Sequence, residues 1–214
     1  MFLDQNAIAV TRLIMKDSTR QRTSRDTILD ATDRLLARHG YKKMTIDDLA
    51  KEVGIGKGSV YLHFKSKEEI ALSHVDRIIE RLKLRLASIG NSSGSVETRL
   101  RKMLVERVMF RFDSVQHYSQ SLNELLSHLR SKLLERRTRY FDEEAKIFSR
   151  VIDEGRRDGV ITTRNSLETA RALLDATNSL LPYSLSAVEL GKRAEVEKKV
   201  KRVAELVLMG LVKR

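Results

Sequence analysis

The stretch from Thr45 to Lys67, TIDDLAKEVGIGKGSVYLHFKSK, constrains this chain more than any other. Gly54 stands where a helix must stop and the backbone needs positive φ. Before it, Ile46, Leu49, Ala50 and Val53 share one helical face, and Thr45 with Asp48 has the spacing of a capping box. After it, Gly56 to Phe64 predicts one short helix, with Val60 inward and Lys57, Ser59 and Tyr61 outward. A helix-turn-helix needs a small residue where its helices cross, a glycine in the turn and a branched apolar residue inside the second helix. Ala50, Gly54 and Val60 supply these. An ordinary corner between two helices shares the outline, but it does not call for Lys57, Gly58, Ser59, Tyr61 and His63 on one short helix. Glycine inside a helix costs about 1 kcal/mol relative to alanine. Gly58 therefore points to close approach by another backbone, for which a DNA phosphate backbone is a candidate.

The run VGIGKGSVYLHFKSKEEI resembles the signature of the TetR/AcrR family of bacterial transcriptional regulators. That signature is a glycine in the turn, a Tyr-x-His-Phe run, and a lysine one turn later that opens a long helix. The upstream TILDATDRLLARHGYKKMTIDDLA is similar to that family's first helix and its link into the second. The resemblance covers residues 24–70 and rests beyond them on helix order. It implies an all-α fold of about nine helices, with an N-terminal three-helix helix-turn-helix domain and a C-terminal helical ligand-binding and dimerisation domain. The expected divisions are an arm at 1–20, a DNA-binding domain at 21–81 with its motif at 44–63, and an effector-binding and dimerisation domain at 82–214. The implied function is a sequence-specific repressor, released from a palindromic operator by a small-molecule effector. Two alternatives stand beside it. One is a related DNA-binding protein without such an effector, controlled by a protein partner or architectural. The other is a helical enzyme or scaffold with a vestigial motif.

Net charge is +12, which suits a polyanionic partner. Only part of the excess lies in the expected reader: residues 1–70 carry 13 basic and 10 acidic side chains, a net of +3. The case for DNA thus rests on the motif, and the charge agrees with it. Without cysteine there is no disulfide framework, thiol nucleophile or zinc finger. No apolar run approaches the roughly 20 residues of a membrane span. Asp4, Gln5, Asn6 and Arg12 interrupt any signal-peptide core, so the expected location is the cytoplasm. Met15 is an alternative start, since MKDSTRQRTSRDTIL would be an ordinary opening for the family.

Along the chain, Arg12, Lys16, Arg20, Arg22 and Arg25 make the arm basic. Gly40 ends a first helix over 24–39, and Tyr41 is expected under the domain without a DNA role. Ser66 and Glu69 have reciprocal capping-box spacing and open a fourth helix that continues to about Ser88. GNSSGS at 90–95 is a loop, and Ser95 opens a fifth helix ending near Asp113 to Gln116. Periodicity from Ser119 to Glu154 permits one long helix, whereas the family resemblance implies two, with a break near Arg130 to Leu133. Asn165 caps the next helix, which Pro182 is expected to kink; the last helix is expected over 187–212.

The candidate DNA contacts are Thr45, Lys57, Gly58, Ser59, Tyr61, His63 and Lys67. Lys57 can donate to guanine or phosphate, and helix N-termini at Thr45 and Lys67 attract phosphate. Asp47 lies where some relatives carry a base-reading side chain; it would have to accept from cytosine or avoid the duplex. Met103, Phe110, Tyr118, Leu122, Tyr140, Phe141, Phe148 and Tyr183 are candidates to line an effector pocket, although such aromatic sets are more often plain core. Ala170, Ala172, Ala176 and Ser179 with Val200, Val203, Leu206, Val207 and Leu211 are candidates for a homodimer interface built as a four-helix bundle. The run Asp142-Glu143-Glu144 reads as a solvated face. His39, His74, His117 and His128 lack metal-ligand spacing. No Walker loop, GxGxxG, GxSxG or HExxH is present, so no cofactor, metal or catalytic residue is expected.

Overall fold

The computed structural model describes residues 24–117, 119–181 and 189–212. The arm, Pro182 and its expected kink lie outside the described residues. Eight helices span the rest: α1 (Ser24–Lys43), α2 (Ile46–Val53), α3 (Lys57–His63), α4 (Lys67–Gly90), α5 (Val96–His117), α6 (Ser119–Arg157), α7 (Ser166–Asn178) and α8 (Arg193–Met209). The architecture is all-α. No helix among the described residues is long and apolar enough to cross a membrane.

Capping chemistry sets the N-terminal boundaries. At α2 the box is complete: Asp48 N–H donates to Thr45 Oγ1 at 3.1 Å, and Thr45 N–H donates to Asp48 Oδ2 at 3.1 Å. Gly54 then takes φ 77°, and its N–H closes on the Ala50 and Lys51 carbonyls. At α4 the expected box is only half present. Ser66 Oγ accepts the Glu69 N–H at 3.1 Å, but the Glu69 carboxylate passes Ser66 and takes the Lys65 N–H at 2.7 Å. The turn leaving α3 is thereby tied to the first turn of α4.

Apolar stripes assemble into three clusters. The first gathers Ile28, Leu36, Leu49, Val60, Phe64 and Ile70 from α1–α4, together with Leu125 and Leu129 of α6. The second joins Leu82 and Leu86 of α4 to Leu100, Met103 and Leu104 of α5, Phe148 and Ile152 of α6, Leu174 of α7 and Ala204 of α8. The third packs Val108, Met109 and Phe112 of α5 on Val196 and Val200 of α8.

Several boundaries differ from the sequence expectation. Helix α6 breaks at Leu129 (φ −120°, ψ 15°), one residue before the expected segment. The break follows from two destinations: Leu125 and Leu129 enter the first cluster, whereas Ala145 and Phe148 enter the second. Helix α5 continues to His117, past its expected end, and α8 begins at Arg193, after Gly191 at φ 83°.

Candidate DNA-binding surface and effector cavity

Helix α3 is anchored by Val60, fully buried, and by Phe64 at its C-cap. The remaining side chains have little to hold inside the protein. Lys57, Tyr61 and His63 are exposed, and Ser59 is half-buried. A Cβ added at Gly56 or Gly58 would meet nothing within 4 Å, so no internal packing requires glycine at either place. Leu62, outside the expected contact set, is 84% exposed on the same short helix. Its only signal was an apolar residue between Tyr61 and His63.

Two lysines of the expected contact set are already engaged. Lys57 Nζ lies 3.0 Å from Asp47 Oδ2, and that carboxylate raises the Lys57 pKa. Lys67 is turned inward. Its Nζ donates to the Lys42 carbonyl at 3.1 Å and stands 4.5 Å over the Tyr41 ring; burial lowers its pKa. What Lys67 leaves for a phosphate is the N-terminal turn of α4, not its ammonium. Thr45 is exposed at the start of α2, with its hydroxyl committed to the cap. Tyr41 is buried under the domain.

A cavity of about 180 Å³ lies where α4, α5, α6 and α7 meet. Val75 and Ile79 of α4 form one wall, and Leu125, Leu133, Leu134, Arg137, Tyr140 and Phe141 of α6 form another. Arg107 and Arg111 of α5 and Asn178 of α7 complete it. Among the described residues, Tyr140 and Phe141 are the expected pocket residues that reach this cavity. Met103 and Phe148 are fully buried members of the second cluster, and Phe110 is half-buried beneath the Arg85 guanidinium. Tyr118, Tyr183 and the Leu122 side chain lie outside the described residues.

The cavity's back wall holds an ionic cluster that sequence reading missed. Glu144 is fully buried and not on a solvated face. It accepts from Arg107 Nε at 2.6 Å and pairs with Arg111. Burial alone would raise the Glu144 carboxyl, but the Arg111 and Arg107 guanidiniums outweigh it and hold it below the ordinary carboxylate value. Arg107 also reaches the Leu174 carbonyl, Thr177 and, at 3.0 Å, Asn178 Oδ1. The signal was available: Arg107 follows Leu100, Met103 and Leu104 at helical spacing, and Glu144 falls between Tyr140, Phe141 and Phe148. A charge on an apolar stripe marks a buried pair.

The cavity adjoins α4 polar contacts as well. Tyr140 donates to Asp76, which also pairs with Arg136 and, at 3.0 Å, with Arg139. Among the described residues no three His, Asp or Glu side chains gather as a metal site. Of the candidate dimer residues, Ala170 and Val200 are fully buried in the protomer's own clusters. Val203, Val207, Leu211 and Ala176 are half-buried; Ala172, Ser179 and Leu206 are exposed, and Met209 joins them at 54%.

Residues 28–73 match the profile described as "Bacterial regulatory proteins, tetR family". This stretch is a TetR-type helix-turn-helix segment. Among its relatives is the uncharacterized HTH-type transcriptional regulator YerO of Bacillus subtilis, 47% identical over 49 residues, which are 23% of this chain and 17% of YerO. The HTH-type transcriptional repressor KstR2 of Mycobacterium tuberculosis is 26% identical over 142 residues, 63% of this chain and 68% of that one. The solved Bacillus subtilis FadR, in complex with stearoyl-CoA, superposes with a TM-score of 0.62 at 18% identity, covering 86% of this chain and 97% of that one. The TetR-type likeness in sequence is thus concentrated in the DNA-binding domain. The chain spans less than a third of the length of YerO and of several other curated relatives.

Proposed function

We propose that this protein is a homodimeric TetR-family repressor that binds a palindromic operator through α3 and is released by a small molecule in the α4–α7 cavity. It acts on the chromosome, in the bacterial cytoplasm. The observation that carries the DNA reading is α3 itself: an anchored helix whose Gly58 faces open space beside exposed Lys57 and Tyr61. A phosphate backbone can approach there without displacing any protein atom. One seven-residue helix reads few base pairs, so two copies about 34–36 Å apart, one turn of duplex, are needed for a specific site.

The effector reading is supported by the cavity's position. Leu125 belongs both to the cavity wall and to the cluster that holds α1–α4 together. A ligand that shifts α6 there acts on the reading domain. By linkage, that ligand binds the DNA-bound dimer less tightly than the free one. The solved FadR with stearoyl-CoA supports ligand control in a protein of this fold. For the dimer, the supporting feature is the exposed set of Ala172 on α7, Ser179 at its C-cap, and Leu206 and Met209 on α8.

The test is binding to a DNA fragment enriched from a random-sequence pool. Lys57→Ala/Tyr61→Ala is expected to bind at least about tenfold more weakly with unchanged thermal unfolding. Wild-type affinity in that variant removes α3 from the interface. Leu206→Glu/Met209→Lys is expected to sediment as a monomer and lose the operator; a DNA-binding dimer would exclude the α7–α8 face.

A further inference from the structure

We infer that the α4–α7 cavity takes a small amphipathic anion: a carboxylate on a short aliphatic or single-ring body. This rests on the effector-cavity reading above. Arg107, Arg111 and Arg137 all reach the wall, and none of the described residues lining it is acidic. Behind the wall, Arg107 and Arg111 share the single carboxylate of Glu144.

The two guanidiniums differ in what they have left to offer. Arg107 is spent on structure, with its donors on Glu144, Leu174, Thr177 and Asn178 across α5, α6 and α7. Arg111 gives Nη2 to Glu144, while its Nε is buried without a hydrogen-bond partner. Arg107 and Arg111 carry two positive charges against the single charge of Glu144, and an incoming oxyanion at the wall offsets the difference. A planar carboxylate matches the guanidinium fork, whereas a neutral amide offers one oxygen and no charge.

The rest of the wall is apolar, with Val75, Ile79, Leu133 and Phe141 facing the same space. Its volume, about 180 Å³, sets the scale of the body. A cavity of roughly 150 Å³ holds a benzene molecule. The expected occupant is therefore one ring or a short chain, with the anionic end at Arg111 and Arg137.

The experiment compares matched acids and amides by calorimetry on the full-length protein: benzoate against benzamide, and hexanoate against hexanamide. Each carboxylate is expected to bind at least about tenfold more tightly than its amide, about 1.4 kcal/mol. Arg111→Met is expected to abolish that preference. Because Arg111→Met also takes a partner from Glu144, Arg137→Gln provides a second variant that leaves the Glu144 pairs in place, and it is expected to reduce the preference. Equal binding of acid and amide overturns the inference, as does failure of both acids to bind. A preference unchanged in Arg137→Gln and in folded Arg111→Met overturns it too. DNA affinity is measured in parallel. An acid that binds as expected without weakening DNA binding leaves the anion site standing and defeats the effector reading instead.

Discussion

Glu124, near the start of α6, accepts the backbone N–H of Lys42, at the end of α1, at 2.7 Å. The contact is possible because Gly40 has no side chain: a Cβ there would lie 2.9 Å from Glu124 Oε2, and its φ of 78° disfavours any other residue. Beside it, the Tyr41 ring lies 5.8 Å from the His128 ring and carries the Lys67 ammonium on its face. The end of α1 and the starts of α4 and α6 thus meet at one junction. Glu124→Ala is expected to lower stability by about 1 kcal/mol. It should also lessen the effect of a cavity ligand on DNA affinity while leaving unliganded DNA binding intact. Urea denaturation and DNA titration with and without benzoate check both; an unchanged ligand effect means the junction carries no coupling.

Asp47 lies beside the proposed DNA-reading helix α3. Its carboxylate holds Lys57 and would also repel a nearby phosphate. Asp47→Asn is expected to strengthen DNA binding and steepen the dependence of log affinity on log salt by about one unit. Fluorescence anisotropy at several salt concentrations measures the slope. A weaker complex would show that Asp47 itself accepts from a base.

His74 makes stability depend on pH near neutrality. Burial pushes its pKa down from 6.5 to about 4; Asp33 opposes this, while Arg77, Arg81 and His117 reinforce it. The unfolded chain takes up this proton near 6.5 and the folded protein does not, so stability falls as pH drops from 6.5 towards 4. Between pH 7 and 5.5 the loss from this group is roughly 1 kcal/mol. Urea midpoints at the two pH values should converge in His74→Leu, relative to wild type; a difference as large as wild type's would assign the effect elsewhere.

Glu144 contributes in the acidic range with the opposite charge type. Its folded pKa lies below the ordinary carboxylate value, so its stabilisation is complete above the unfolded value and is lost as pH falls through the folded one. Glu144→Gln leaves two guanidiniums without their carboxylate, and at neutral pH this is expected to cost about 3–5 kcal/mol. Thermal unfolding measures it. A loss below about 1 kcal/mol would mean that water or a bound anion already serves Arg107 and Arg111.

The helix-turn-helix was legible because its signals are local. A cap at Thr45, a left-handed glycine at 54 and a branched residue at Val60 act over one or two helical turns, and the chain obeys them in place. Asn165 accepts the Leu167 and Glu168 N–H groups for the same reason. What pairs with what was not local. Lys67 stands at a helix N-terminus, as its sequence position requires, yet Tyr41 and Lys42, 25 residues earlier, draw its ammonium inward. Glu144 sits in an acidic run whose neighbours Asp142 and Glu143 suggest solvent, and two arginines more than 30 residues away supply the partners that let it be buried. Sequence by itself determined where the capped helices α2, α4 and α7 start, because hydrogen bonds within a turn depend on neighbours along the chain. Only the tertiary structure decided which charges face solvent and where a cavity opens, because burial and ion pairing depend on residues brought together from distant helices.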